Sequence, residues 1–138
     1  MKVSTKGRYA LRVMIDLAQH RDQGFISLKD IAERQGISMK YLESIVAMLN
    51  KAQLVDSFRG KTGGYRLNKP IGDYTVGSII KLTEGSIAPV ACLEGGHEGC
   101  EHAAECITFP MWRKLDQIID DYLESVTLED LLKNKNLL

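Results

Sequence analysis

Ser27-Leu28-Lys29-Asp30-Ile31-Ala32-Glu33-Arg34-Gln35-Gly36-Ile37-Ser38-Met39-Lys40-Tyr41-Leu42-Glu43-Ser44-Ile45-Val46-Ala47-Met48-Leu49 contains two helix starts separated by one enforced turn. Ser27 stands where a hydroxyl can accept an orphan backbone N–H, and Asp30 follows in capping-box position. Leu28, Ile31 and Ala32 then form an apolar face about two turns long. Gly36 supplies the left-handed conformation that ends such a helix, and Ser38 offers a second N-cap. Leu42, Ile45, Val46 and Leu49 again fall on one face. Two amphipathic helices joined by a tight glycine turn read as a helix-turn-helix.

Towards the N-terminus, Ser4 or Thr5 can cap a first helix with Leu11, Met14, Ile15 and Ala18 on one buried stripe, ending near Asp22-Gln23-Gly24. Towards the C-terminus the period changes after Lys51. Leu54 to Phe58 and Tyr65 to Leu67 read as strands joined by Arg59-Gly60-Lys61-Thr62-Gly63-Gly64. A basic hairpin directly after a helix-turn-helix is a wing, so the fold class expected is mainly α with a small β-hairpin: a winged helix-turn-helix. Pro70 to Tyr74 reads as a linker, and Thr75 caps a helix carrying Val76, Ile79, Ile80 and Leu82 up to Gly85. From Pro110 a long helix places Trp112, Leu115, Ile119, Tyr122 and Val126 on a heptad seam, the pattern of a helix that packs on another. Thr127 to Asp130 forms a capping box for a last short helix through Leu131 and Leu132. The organisation expected is a winged helix-turn-helix domain over 1–69, a connecting segment over 70–91, a cysteine loop over 92–106 and a long helix with a C-terminal helix over 107–138.

The chain has 138 residues, 44% hydrophobic and 26% charged, enough for a core without disulfide staples and too apolar for wholesale disorder. Arg12 and Asp16 interrupt the first apolar stretch, so no signal peptide is read, and no run approaches the roughly 18 apolar residues of a membrane span. A cytoplasmic protein is expected. The formal net charge of zero conceals a division. Residues 1–69 carry thirteen Lys/Arg against six Asp/Glu, a net +7, whereas residues 70–138 carry five against twelve, a net −7. A basic module for a polyanion is joined to an acidic module with another task.

An α-helix fits the DNA major groove and reads base edges from its exposed N-terminal turns. Those positions are Met39, Lys40, Glu43 and Ser44, with Ser38 and Tyr41 better placed for phosphates. Glu43 can accept from a cytosine amino group but also repels phosphates, so it can reject wrong sites. At the wing, Arg59 beside Gly60 can enter a narrow minor groove, while Lys61 and Arg66 can neutralise phosphates.

Cys92, Cys100 and Cys106 lie within fifteen residues, among Gly95, Gly96 and Gly99, two histidines and four glutamates, with no basic residue. Three clustered thiols in a chain read as cytoplasmic point to metal or redox chemistry rather than disulfides. His97, His102, Glu98, Glu101 and Glu105 are nearby candidates for a fourth ligand, and the sequence does not choose among them. A Cys3His zinc site and an iron–sulfur cluster both draw on these residues. The segment has no recognisable catalytic signature, so no enzyme is read.

The opening Met1-Lys2-Val3-Ser4-Thr5-Lys6-Gly7-Arg8-Tyr9-Ala10, the stretch Ile31 to Ser38 with Tyr41-Leu42-Glu43, and Arg59-Gly60-x-x-Gly63-Gly64-Tyr65 resemble the Rrf-two family of transcription regulators. The resemblance covers nearly the whole chain and is nearest the cysteine-containing, IscR-like branch. It implies a homodimeric repressor on a palindromic double-stranded operator, with the long helix dimerising. It also implies an iron–sulfur cluster on Cys92, Cys100 and Cys106, [2Fe–2S] rather than [4Fe–4S], sensing cluster, redox or nitric oxide status. Two departures stand out. Phe109 occupies the place of the IscR-like branch's ligating histidine, and Arg8 stands where the NsrR-like branch has an acidic ligand. The segment Glu84 to Val90 resembles instead the CymR-like branch, which implies a cysteine-metabolism repressor acting with a cysteine-synthesis enzyme as partner, its loop empty or holding zinc.

Overall fold

The computed structural model describes residues 2–94, 104–134 and 137. Five of its helices begin with the same device: the side chains of Ser4, Ser27, Ser38, Thr75 and Thr127 accept the backbone N–H three residues on, at 3.0 to 3.3 Å. Each relieves one orphan donor of a first turn. They open α1 (Thr5–Gln19), α2 (Leu28–Gln35), α3 (Met39–Lys51), α4 (Val76–Glu84) and, after α5 (Phe109–Ser125), α6 (Leu128–Lys133). Pro110 sits in the first turn of α5, where its missing N–H costs nothing. Between α3 and α4 lie the antiparallel strands β1 (Val55–Phe58) and β2 (Gly64–Leu67), paired Val55 to Leu67 and Phe58 to Gly64. This is the expected mainly helical fold with a two-stranded wing.

One apolar core holds α1, α2 and α3 together. Val13, Met14 and Leu17 of α1 meet Ile31 of α2 and Leu42, Ile45 and Leu49 of α3, all at most 1% exposed. Gly36 closes α2 at φ 65°, ψ 34°, so the turn into α3 takes the left-handed geometry read from the sequence. Leu28 and Ala32, expected to be buried, are only partly covered; an eight-residue helix at the edge of the core fully buries Ile31 alone.

The wing is tied to the chain before α2. Ile26 and Tyr65 exchange backbone hydrogen bonds of 2.8 and 2.9 Å, adding a bridge beside β2. This explains the glycine pair: a Cβ on Gly64 would collide with the Ile26 carbonyl, and one on Gly63 with the Phe58 carbonyl. The pair serves close backbone approach.

Tyr74, read as the end of a linker, is instead one of the largest fully buried side chains, 1% exposed. Its hydroxyl donates to the Leu54 carbonyl at 2.8 Å and accepts the N–H groups of Asn68 and Lys69. A single phenol thereby locks both ends of the hairpin against the core, a tertiary role no local pattern encodes. The chain leaving Tyr74 pairs with the start of α6: Leu128 N–H donates to Tyr74 and Val76 N–H to Val126.

The long helix also differs from the expected seam. No residue of α5 is buried, and its exposed apolar residues are Met111, Leu115, Ile118 and Tyr122, between 37% and 54% exposed. Trp112 and Ile119 are half-covered, and Val126, at the helix end, is buried with Val76 and Ile80. The side of α5 that meets α4 carries apolar and charged contacts together: Leu123 packs with Val76, Ile80 and Val126. Lys81 of α4 pairs with Asp120 and, at 3.0 Å, with Glu124, which also accepts the Thr75 hydroxyl. With that side turned to α4, Met111 and Ile118 face outward. Among the described residues no helix is long and apolar enough to cross a membrane.

Candidate nucleic-acid interface and cysteine loop

The first turns of α3 place Met39, Lys40, Glu43 and Ser44 on the surface, with the N-cap Ser38 beside them. Burial of Leu42, Ile45, Val46 and Leu49 leaves those residues no other side to occupy. Tyr41 is half-buried, its ring edge-on to Tyr9 at 5.8 Å. At the wing tip Arg59, Gly60 and Lys61 are exposed, and Gly60 takes φ 130°. Among the described residues, Lys40, Glu43, Arg59 and Lys61 form no ion pair. Arg66 is placed differently: its guanidinium lies 4.4 Å over the Phe25 ring and 3.7 Å from Asp56, holding the outer face of the hairpin together. Its side chain remains 49% exposed.

A polar cluster behind α3 went unread. Asp16, in the last turn of α1, is 0% exposed and accepts Arg34 through both oxygens at 2.7 and 2.9 Å, and Gln35 at 3.0 Å. Burial pushes its carboxyl up, but the hydrogen bonds from Arg34 and Gln35 and the charges of Arg34 and His20 outweigh that and hold it below its ordinary value. The available signal was a lone carboxylate among the apolar positions 13, 14, 17 and 18.

Cys92 lies half-buried in a single 3-10 turn, Ala91–Leu93, after α4. Cys106 is exposed two residues before Thr108, the N-cap of α5. The Thr108 hydroxyl lies 3.4 Å from its sulfur, and that contact, followed by the backbone N–H groups of Thr108 and Phe109, lowers the thiol's pKa. Leu93 and Phe109 line one cleft with Arg113 and Asp116, so the two ends of the loop converge. Cys100, His97 and His102 lie outside the described residues. Phe109, half-covered at the start of α5, offers no donor atom, and Arg8 donates to Thr5 at 3.3 Å. The donor chemistry fits a thiolate-ligated centre, because the thiolate is the ligating form and Cys106 is held towards it.

The sequence matches the Rrf2 family, described as an iron-dependent transcriptional regulator, over residues 3–134. The chain belongs to that family. Rrf2 relatives include the HTH-type transcriptional regulator IscR of Pectobacterium carotovorum, 42% identical over all of this chain and 83% of the relative. Among solved structures, T. potens IscR is 44% identical with a TM-score of 0.75, covering 97% of this chain and 88% of that one. CymR (YrzC), the global cysteine regulator of B. subtilis, is 40% identical with a TM-score of 0.79, covering 99% of both chains. As an Rrf2 member the protein is an IscR-like, DNA-binding transcription regulator and not an enzyme.

Proposed function

We propose that two copies of this chain bind a palindromic operator as a homodimeric repressor, with α3 in the major groove and the wing tip in the minor groove. Met39, Lys40, Glu43 and Ser44 read bases, Ser38 and Tyr41 contact phosphates, and Arg59 enters the minor groove with Gly60 and Lys61 beside it. Operator affinity responds to whether Cys92, Cys100 and Cys106 hold an iron–sulfur cluster, [2Fe–2S] rather than [4Fe–4S], with His97 or His102 available as fourth ligand. The observation that carries the metal reading is the clustering of three cysteines, with Cys92 and Cys106 at the two ends of the loop between α4 and α5, in a chain 42% identical to an IscR. When bound, the cluster supplies a centre that changes redox state and reacts with oxygen or nitric oxide. The chain's own part is to connect the loop at one end to α4 and at the other to α5. The test compares operator binding of cluster-loaded and cluster-free protein at one salt concentration. A changed affinity or site preference is expected; equal values would sink the sensing role.

A second reading, a cysteine-metabolism regulator with a zinc-bound or empty loop and an enzyme partner, is supported by the likeness to CymR over 99% of both chains. Anaerobic purification with a visible spectrum and metal analysis separates the two. Colour with iron and sulfide supports the first; zinc or no metal supports the second.

A further inference from the structure

α1 grips the helix-turn-helix on both sides of its turn. Before the turn, Asp16 holds Arg34 and Gln35, the last two residues of α2. Gln35 is bound twice more: its side-chain oxygen accepts Arg12 Nε at 3.1 Å, and its backbone carbonyl accepts the same guanidinium. That carbonyl is one of the acceptors a helix end leaves without an intrahelical partner. After the turn, Arg12 lies 5.0 Å over the Tyr9 ring, and Tyr9 meets Tyr41 in the first turn of α3 edge-on. Tyr9, Arg12 and Asp16 are spaced 3 and 4 along α1, so one helix face carries the whole ladder.

The geometry points to Asp16, Gln35 and Arg12 as positioning residues that set the angle at which α3 presents its bases-facing side chains, an inference that rests on the reading of α3 as the recognition helix. The close-packed core fixes the inner face of α3, but its contacts carry little directional preference at the junction between α2 and α3. A carboxylate with three donors and an amide held at both ends supply that preference. The ladder therefore governs the difference between operator and non-specific DNA. Phosphate attraction, which depends on charge more than angle, is left alone.

The test uses full-length protein and a palindromic duplex selected by it from a random pool, against a scrambled duplex at the same salt concentration. Gln35→Met keeps charge, helix propensity and the Asp16–Arg34 pair, and removes both side-chain hydrogen bonds of Gln35. Arg12→Lys keeps the charge and removes the fork. Each should weaken operator binding by about tenfold while scrambled-duplex binding and its salt slope stay unchanged, and the double variant should add little to either single one. Equal losses on both duplexes would mean a general structural defect and overturn the inference, as would additivity. Glu43→Ala separates the two levels: if it weakens operator binding and Gln35→Met does not, positioning alone fails. If both are silent, the recognition-helix reading fails and the inference falls with it.

Discussion

The helix-turn-helix and α5 are built from similar amphipathic sequence and end up in opposite conditions. In the first, every large apolar residue of α3's inner face is at most 1% exposed, and the buried charge packed against it from α1, Asp16, has three donors. In the second, seventeen residues of helix bury none of their side chains, and four apolar residues stand on one outer face. The opposite edge of α5 is held to α4 by Leu123, packed with Val76, Ile80 and Val126, and by the pairs of Lys81 with Asp120 and Glu124. The N-terminal region is complete within one chain. In the proposed homodimer, the stripe on α5 is the surface we assign to the partner subunit.

The sharpest way to break this comparison is to cut equivalent groups from the two helices. Leu49→Ala in the α3 core should cost about 3 kcal/mol in urea unfolding, from lost transfer energy and a residual cavity. Leu115→Ala should leave the dissociated chain within about 0.5 kcal/mol of wild type. A large cost at Leu115 in a demonstrably monomeric sample would show that α5 is buried within its own chain. Next in size, Ile118→Asp places a charge in the stripe and should weaken self-association by about hundredfold, or ~2.7 kcal/mol, in sedimentation equilibrium. An unchanged dimer would move the interface elsewhere.

The smallest effect concerns Asp16. Its folded-state pKa lies below the ordinary 3.8, so its contribution to stability is complete above about that pH and is lost as pH falls through the lower folded value. The stability gap between wild type and Asp16→Asn should therefore be constant near neutrality and close in acid. A gap that persists unchanged to about pH 2 would mean that the carboxylate's charge is not what matters.

The helix starts were legible because a capping hydroxyl and an apolar period are local properties. Ser27, Ser38, Thr75 and Thr127 each mark their helix within a residue. The seam on α5 was legible in kind but not in rotation: Trp112, Ile119 and Val126 fit a heptad as well as Met111 and Ile118 do, and only the packing of α5 on α4 chooses between them. Arg66 was legible as one more cation of a basic wing, but its stacking on Phe25, forty-one residues away, was not. Of the candidate ligands, the sequence identified the cysteines by type and spacing, and the structure added the environment of Cys92 and Cys106.

By itself the sequence determined the order and kind of elements, the basic and acidic halves and the outward set on α3, because periodicity, capping and charge need no knowledge of distant neighbours. The tertiary structure alone decided which polar groups are buried and which apolar ones are bare. Asp16 and Tyr74 lie within, and Met111 and Ile118 without, because burial belongs to the packing of whole elements, and a buried carboxylate or phenol is tolerated only where donors and acceptors from other elements meet it.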